Sequence, residues 1–588
     1  MNDFHLLFEL PYYQQARFPQ ADCLNEKVDG AWRSYSTQDV IENMNRVSMA
    51  LLASGINQGD SVSIVSNNRP QWNFADLGIM QMGSITVPIY PTVSDEDYVY
   101  IMNNAETRLL FVSSQELFER IKNLQPRISS LKEIVTFNEV TGALHWNEFL
   151  NRGDAADANH LKEIINKITP QETACILYTS GTTGFPKGVM LSHFNICANL
   201  KSVSNVLPIN EQHRALSFLP LNHSLEKLVV YAYLMKGVSV YYAESMDAIG
   251  DNLREVKPHF FSCVPRLLEK VYERIVVKGL ALKGAKRALF FWALQLGEQW
   301  DNQKDLGSWY HLRLNVARKL IFSKWIEALG GNVFAIVSGA APLNEKIGRV
   351  FTAAGVVIME GYGLTETSPV ISVNRYDLKD NILGTVGPVV PGVEVKIAED
   401  GEIFARGPNI MVGYYKLPKE TAEAIDADGW FHTGDIGELI DKRFIKITDR
   451  KKELFKTSVG KYVAPQPIEN AFKESLLIEQ MMVVGDAKKF VSALIVPSFQ
   501  HLKPWCEKNG IVFSSNEQLI GEPKVIEKYR DEVEQKNTKF GHSDQIKKFK
   551  LMHEEWTLQG GQLTPTMKLK RKVIMAMYGS QIEAMYTE

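Results

Sequence analysis

The chain has 588 residues, 45% hydrophobic and 23% charged, which is enough for two or more globular domains with sizeable cores. Its 65 basic and 68 acidic side chains leave a formal charge of −3, which excludes a general nucleic-acid footprint and requires local cations for any anionic ligand. Five scattered cysteines without metal spacing (Cys23, Cys175, Cys197, Cys263, Cys506) read as reduced thiols of a cytoplasmic protein.

The opening MNDFHLLFELPYYQQARFP has no basic segment followed by a long apolar one, and no run of eighteen apolar residues occurs anywhere, so neither a signal peptide nor a membrane-crossing helix is expected. From Ser36 to Ala53, Val40, Met44, Val47 and Leu51 recur at helical spacing, and Gly55 ends that helix. A strand over Ser61 to Ser66, a helix over Gln71 to Met82 and a strand ending in VPIYPT (Val87 to Thr92) follow. Then come a helix over Asp95 to Asn104 and a strand over Leu109 to Ser113. This alternation predicts a layered α/β domain with a mostly parallel sheet.

Ala174 to Leu177 is a short apolar run suited to a buried strand, and it leads into Tyr178 to Gly188, YTSGTTGFPKG. Glycines let backbone approach a ligand closely, and successive N–H groups with small hydroxyls can surround polyphosphate oxygens. Thr179, Ser180, Gly181, Thr182, Thr183, Gly184 and Lys187 are therefore candidate phosphate-binding residues. The string is not a Walker A loop, because Pro186 precedes Lys187 and Gly188 follows it. A polar surface hairpin is the plainer alternative.

Ser192 starts a helix, and Arg214 to Leu219 is strand-like. His223 of LPLNHSLEK lies directly after that strand, where α/β sheets hold their ligands, although a turn histidine also serves as a solvated or capping residue. Lys257 to Glu273 supplies a strand, a proline break and a helix. Ala285 to Trp300 is apolar almost all round, and His311 to Leu329 places Leu314, Ala317, Ile321, Trp325 and Ala328 on one face until Gly330-Gly331 stops it. Arg313, Arg318, Lys319 and Lys324 lie nearby. The pair reads as a helical hairpin packed on the domain or as a cation-rimmed lid or membrane-facing access route for a long apolar chain.

Two strand-into-turn segments, VFAIVSGAAPL (Val333 to Leu343) and VVIMEGYGLTETSP (Val356 to Pro369), would floor a pocket beside the phosphate loop. Their turns carry Gly339 and Ala340, then Glu360, Gly361, Tyr362, Gly363, Thr365 and Glu366. Asp435 of WFHTGDIG can accept from two hydroxyls or simply form a turn. ITDRKKELFKTSVGKYVAP (Ile447 to Pro465) is a charge cluster where the character of the chain changes, with Arg450, Lys452 and Lys461 in it. The last quarter reads as an α+β lid with strands at Met482 to Val484 and Val491 to Pro497. Lys568 sits in its GGQLTPTMKLKRK loop, which is otherwise a basic surface.

In this order the motifs resemble those of the adenylate-forming superfamily: acyl- and aryl-CoA synthetases, peptide-synthetase adenylation domains and luciferases. Essentially the whole chain is similar to the long-chain fatty acid–CoA ligases. The resemblance implies a large α/β domain over 1–449, with a helical insertion at about 275–331, and a mobile lid over 450–588. It implies ATP, a fatty acid and coenzyme A as substrates, joined through an acyl-adenylate with release of pyrophosphate and AMP. By the same resemblance, Tyr362 lies against adenine and Thr365 donates to the α-phosphate. Asp435 and Arg450 hold ribose, Thr182 and Glu366 hold Mg2+, and His223 lines the acyl site. Lys452 is the hinge and Lys568 the adenylation lysine, preferred to Lys570 and Lys572 by registration with the motif. Phe185 and Lys461 depart from the usual pattern, which leaves the phosphate contact of Lys461 in question. An adenylating enzyme for shorter or aromatic acids, acyl transfer to a carrier-protein thiol, a luciferase-like oxidation and a non-catalytic nucleotide-binding protein are the alternatives. Peripheral membrane contact and a homodimer stay open, and no nucleic-acid partner is expected.

Overall fold

The computed structural model describes residues 3–179, 185–564 and 567–587. The large domain holds two eight-stranded sheets. One runs, edge to edge, Gly413–Tyr414, Lys187–Ser192, Thr173–Thr179, Ile85–Pro88, Ser61–Val65, Thr107–Val112, Glu133–Thr136 and Leu144–His145. Its strands are parallel from Thr173–Thr179 onward, and the two edge pairings at the other end are antiparallel. The second sheet has a parallel centre made of Val357–Gly363, Ala335–Ser338, Phe260–Cys263, Arg214–Ser217, Ser239–Tyr242 and Leu24–Val28. Parallel strands are buried on both faces and read as continuous apolar runs, which is why SVSIV and ACIL are legible as strands.

The expected alternation is observed. Ser36 caps helix Thr37–Ala53 by a reciprocal capping box with Asp39, and Val40, Met44, Val47 and Leu51 are fully buried. Helices Pro70–Gln81 and Asp95–Asn104 lie where the periodicity puts them. A four-stranded antiparallel sheet of Glu394–Ile397, Glu402–Arg406, Phe431–Ile440 and Phe444–Arg450 completes the large domain. Its partly exposed strands carry no continuous apolar run, so most of it is silent in the sequence.

Helix Ser224–Met235 is fixed at its start by two buried charges. Glu226 accepts from Ser217 Oγ (2.6 Å) and Ser262 Oγ (2.5 Å), and burial pushes its carboxyl up to about 7. Lys227 pairs with Asp76, which also accepts from the Tyr231 hydroxyl. Asp76→Asn leaves a lysine buried without its counter-charge and is expected to lower stability by about 3–5 kcal/mol, read as a drop in the denaturant midpoint.

The insertion takes the packed form. Helix Gly284–Glu298 buries Phe290, Ala293 and Leu294 against Val350, Ala353 and Ala354 of helix Glu345–Ala354. The single face expected over His311 to Leu329 persists in part: Leu314, Ala317 and Trp325 are buried and Ile321 is half-buried. Helix Gly307–Ala317 passes through a π turn at Arg318–Phe322 before helix Ser323–Ala328. The wider turn shifts the phase, so Phe322 is buried beside Trp325, and Leu329 is buried where Ala328 is exposed. Gly330 and Gly331 end the segment at φ +101 and +92, and a Cβ at Gly330 would lie 2.3 Å from the Leu253 carbonyl oxygen.

The small domain has its own core of Val463, Phe472, Met481, Val491, Leu502 and Tyr529 around a three-stranded sheet of Ile478–Val484, Val491–Pro497 and Ile546–Leu551. The strand expected at Met482 begins four residues earlier, at Ile478.

Candidate functional site

The phosphate-loop motif joins strands Thr173–Thr179 and Lys187–Ser192, with Thr179 paired to Lys187 across the hairpin. Ser180, Gly181, Thr182, Thr183 and Gly184 lie outside the described residues. Both flanks are tied to helix Asp95–Asn104. The Tyr178 hydroxyl donates to Asn104 Oδ1 (2.6 Å), and Phe185 stacks on Tyr100 with ring centroids 4.5 Å apart. The phenylalanine that departs from the family pattern thus has an aromatic partner. Lys187 Nζ lies 5.0 Å from the centre of the Tyr414 ring, and the Tyr414 hydroxyl donates to Glu366 Oε1 (2.9 Å). Burial raises Glu366 above the usual carboxylate range, and the tyrosine bond offsets part of that shift.

Strands Ala335–Ser338 and Val357–Gly363 are parallel neighbours, so their carboxyl-end turns come side by side, where doubly wound sheets place ligands. Ala340 takes a left-handed backbone (φ +69), and the Gly339 amide donates to the Cys263 carbonyl (3.2 Å). At Gly363 a Cβ would fall 1.7 Å from the Pro369 carbonyl oxygen, so the chain crosses itself there only because that residue is glycine. Glu360 is buried and accepts from the Gly384 amide (3.4 Å), and burial pushes it up to about 8. A neutral acid in that place belongs to the framework beneath the turn. The Tyr362 hydroxyl donates to Asp435 Oδ2 (2.8 Å), while Arg450 Nε lies 3.4 Å from Asp435 Oδ1 across the Asp435–Arg450 strand pairing. Burial raises Asp435, and Arg450 and Tyr362 draw it back.

Thr365 Oγ1 is 3.3 Å from Ser224 Oγ, which joins this turn to the start of helix Ser224–Met235. His223 is the N-cap of that helix, its Nδ1 accepting from the Leu225 amide (3.1 Å). Burial, then the charge of Lys568, pushes His223 down to about 4, so the ring is neutral and its capping nitrogen is an acceptor.

Lys568 arrives from the small domain on a tight loop. The Thr564 amide donates to the Lys568 carbonyl (2.8 Å), and the Lys568 amide donates to Thr564 Oγ1 (3.0 Å). Burial, then the Arg450 charge, pushes Lys568 down to about 8, against the pull of Asp435, Glu453 and Glu366. Arg450, Asp435, Glu366 and His223, all of the large-domain site, are thus within electrostatic reach of Lys568. Lys452 occupies an exposed turn directly after strand Phe444–Arg450, as a hinge residue would. Lys461 lies in the exposed turn between the small-domain strands Phe455–Lys456 and Tyr462–Val463, where its side chain faces solvent.

The family model for AMP-binding enzymes matches residues 12–415, and that for the AMP-binding enzyme C-terminal domain matches 453–588. The chain belongs to the AMP-binding enzyme family. It is 34% identical over 568 residues to the long-chain-fatty-acid–CoA ligase FadD15 of Mycobacterium bovis, covering 95% of this chain and 94% of that one. It is 32% identical over 606 residues to human long-chain-fatty-acid–CoA ligase 1, covering 96% and 84%. In fold it resembles the adenylation domain of a carboxylate reductase from Mycobacterium chelonae (TM-score 0.77, 20% identity, 99% and 91% covered). It also resembles a Mycobacterium tuberculosis fatty acyl CoA synthetase (TM-score 0.63, 18% identity, 98% and 99% covered).

Two residues of this AMP-binding enzyme escape sequence reasoning. Tyr414 sits on a two-residue edge strand with no periodicity to mark it, yet it bridges Lys187 and Glu366. Arg571 is hidden in the basic run after Lys568. It donates to the Val483 carbonyl (3.1 Å) and Glu453 Oε2 (3.2 Å) and pairs with Glu469, fixing the loop of Lys568 to the hinge segment. Among the described residues no three His, Cys, Asp or Glu side chains gather into a metal cage. A phosphate-bound magnesium needs none, since it is held by one or two carboxylates plus phosphate oxygens, and the half-buried Glu366 suits that mode.

Proposed function

We propose that the protein is an AMP-forming long-chain fatty acid–CoA ligase. The reading is carried by the Asp435 carboxylate, held by the Tyr362 hydroxyl and Arg450 within electrostatic reach of Lys568 from the small domain, and it is supported by relatives of that activity aligned over nearly the whole chain. A carboxylate is a poor acyl donor because its leaving group would be oxide. Its attack on the α-phosphorus of ATP gives an acyl-adenylate and pyrophosphate, against crowded negative charge. Catalysis is then mainly positioning and cationic stabilisation. In this reading Asp435 and Arg450 orient the ribose, Tyr362 keeps Asp435 in place while facing the base, and Lys568 stabilises the anionic transition state. Lys187 and the hydroxyls of the phosphate loop hold the departing phosphates. Glu366, with Thr182 by the resemblance, would hold magnesium, which would supply charge neutralisation on them. The thiol of coenzyme A then attacks the adenylate carbonyl and AMP leaves. Rotation of the small domain about Lys452 withdraws Lys568 and opens the thiol's route.

Acids from acetate to oleate, each tested for pyrophosphate release with and without coenzyme A, check the reading. Release should rise with chain length and become multiple-turnover only with the thiol. Preference for acetate or an aromatic acid would overturn the long-chain assignment.

The insertion also favours peripheral contact with an anionic lipid surface. Trp309, Leu312, Val316 and Leu320 recur on one helical face and are 70%, 56%, 44% and 47% exposed. Residues 281–326 carry eight basic side chains against three acidic ones, in a chain that is negative as a whole. An exposed Trp-bearing ridge flanked by Arg313, Lys319 and Lys324 suits the boundary of a bilayer. Among the described residues no helix is long and apolar enough to cross one. Trp309→Glu with Leu312→Glu should cut binding to vesicles containing anionic lipid by about tenfold or more without changing the thermal midpoint. A change in oligomeric state instead would assign the ridge to a homodimer. The five cysteines are all buried free thiols, in keeping with a cytoplasmic setting.

A further inference from the structure

Helix Pro265–Ala281 opens the insertion and follows strand Phe260–Cys263 of the large domain. Arg266 and Glu273 are seven residues apart on it and so share one face. Both are paired across the domain boundary. Arg266 bonds Glu479 of the small-domain strand Ile478–Val484, and Glu273 bonds His501 of the small-domain helix Phe499–Lys508. Glu269, one turn on from Arg266, holds the guanidinium from its own helix (3.3 Å). Leu476, two residues before that small-domain strand, packs on the apolar core of the insertion. Three separate small-domain elements therefore rest on the insertion while Lys568 is within electrostatic reach of Asp435, Glu366 and Arg450.

We propose that this face is the dock that selects the adenylate-forming orientation of the small domain, with Arg266 and Glu273 acting as positioning residues for Lys568. The proposal rests on the two-orientation mechanism above. The order of charges gives the dock its selectivity. The helix presents a cation and then an anion, and the small domain presents an acid and then an imidazole. A rotated small domain would lose both pairs or set like charges together. All four side chains are partly shielded from solvent, so the pairs are screened less than free surface ones. A face that binds one orientation and not the other shifts the equilibrium between them by that difference alone. The insertion therefore sets how long Lys568 stays in place as well as filling space on the large domain.

The test uses the full chain with Arg266→Glu, Glu479→Arg and the double variant. Acid-dependent ATP–pyrophosphate exchange reports the first half-reaction, and thioester formation from supplied acyl-adenylate reports the second. Arg266→Glu should lower exchange by about tenfold and leave the second half-reaction unchanged or faster, and the charge swap should restore exchange to within about threefold of the parent. Exchange within twofold of the parent for Arg266→Glu, equal loss in both half-reactions, or no rescue by the swap would overturn the proposal. Fluorophores on Ser308→Cys and Lys547→Cys, both exposed where the native cysteines are buried, follow the domain separation directly. Arg266→Glu should move that separation towards the open distance and the swap should return it. This readout holds even if no acid supports exchange by the parent chain, a result that would count against the ligase reading and leave the dock to be judged on orientation alone.

Discussion

Lys568→Ala is expected to lower acid-dependent pyrophosphate exchange by about 10²–10³-fold while thioester formation from supplied acyl-adenylate stays near the parent rate. The asymmetry follows from where the charge is needed. Negative charge is crowded only while carboxylate and triphosphate meet, and Lys568 is within electrostatic reach of Asp435, Glu366 and Arg450. Burial has already brought its ammonium down to about 8, so in the free enzyme the proton is lost as pH rises through that value. The kcat/KM for adenylate formation should therefore fall about tenfold per pH unit above that point. Lys568→Arg keeps its charge at every accessible pH, so its residual activity should lose the alkaline limb. The sign for stability is the opposite of that for activity. A lysine whose folded pKa lies below its unfolded value costs stability at neutral pH, and the cost disappears as pH rises. Lys568→Ala should thus be no less thermostable than the parent at pH 7, which separates lost chemistry from lost folding. Equal loss in both half-reactions would refute the role.

Glu366→Gln is expected to reduce adenylate formation by a similar factor, about 10²–10³-fold, because it removes the half-buried carboxylate suited to the metal. Glutamine keeps a carbonyl oxygen to accept from the Tyr414 hydroxyl, so the packing is preserved. Burial holds the native carboxyl above its ordinary range, a cost to the folded state that grows as pH rises and that the amide lacks. The thermal midpoint should accordingly hold or increase while activity falls. Calorimetry supplies the independent reading: magnesium should strengthen ATP binding markedly in the parent and little in the variant. Unchanged magnesium dependence would move the metal away from Glu366.

Much of this molecule is written in local patterns. Buried parallel strands announce themselves as apolar runs, Ser36 and Ser192 mark helix starts, and the motifs holding Tyr362, Asp435 and Lys568 are each contiguous in sequence. What could not be read are relations between distant residues. Tyr362 faces Asp435, Tyr414 reaches Glu366, and Arg571 ties Lys568 to Glu453, all across separations that no periodicity encodes. The π turn at Arg318–Phe322 shifts the helical wheel, burying Phe322 and Leu329 and exposing Ala328 while Trp325 stays buried. The antiparallel sheet from 394 to 450 is half-exposed, and its mixed pattern resembles loop.

Acyl-adenylate formation itself is tested most directly by mixing the purified chain in stoichiometric amount with oleate, ATP and magnesium, omitting coenzyme A, and examining the enzyme-bound material by mass spectrometry. One equivalent of oleoyl-AMP, with an equal amount of pyrophosphate, is the predicted result, and adding the thiol should discharge it to oleoyl-CoA and AMP. Absence of both adenylate and pyrophosphate under those conditions would contradict the account.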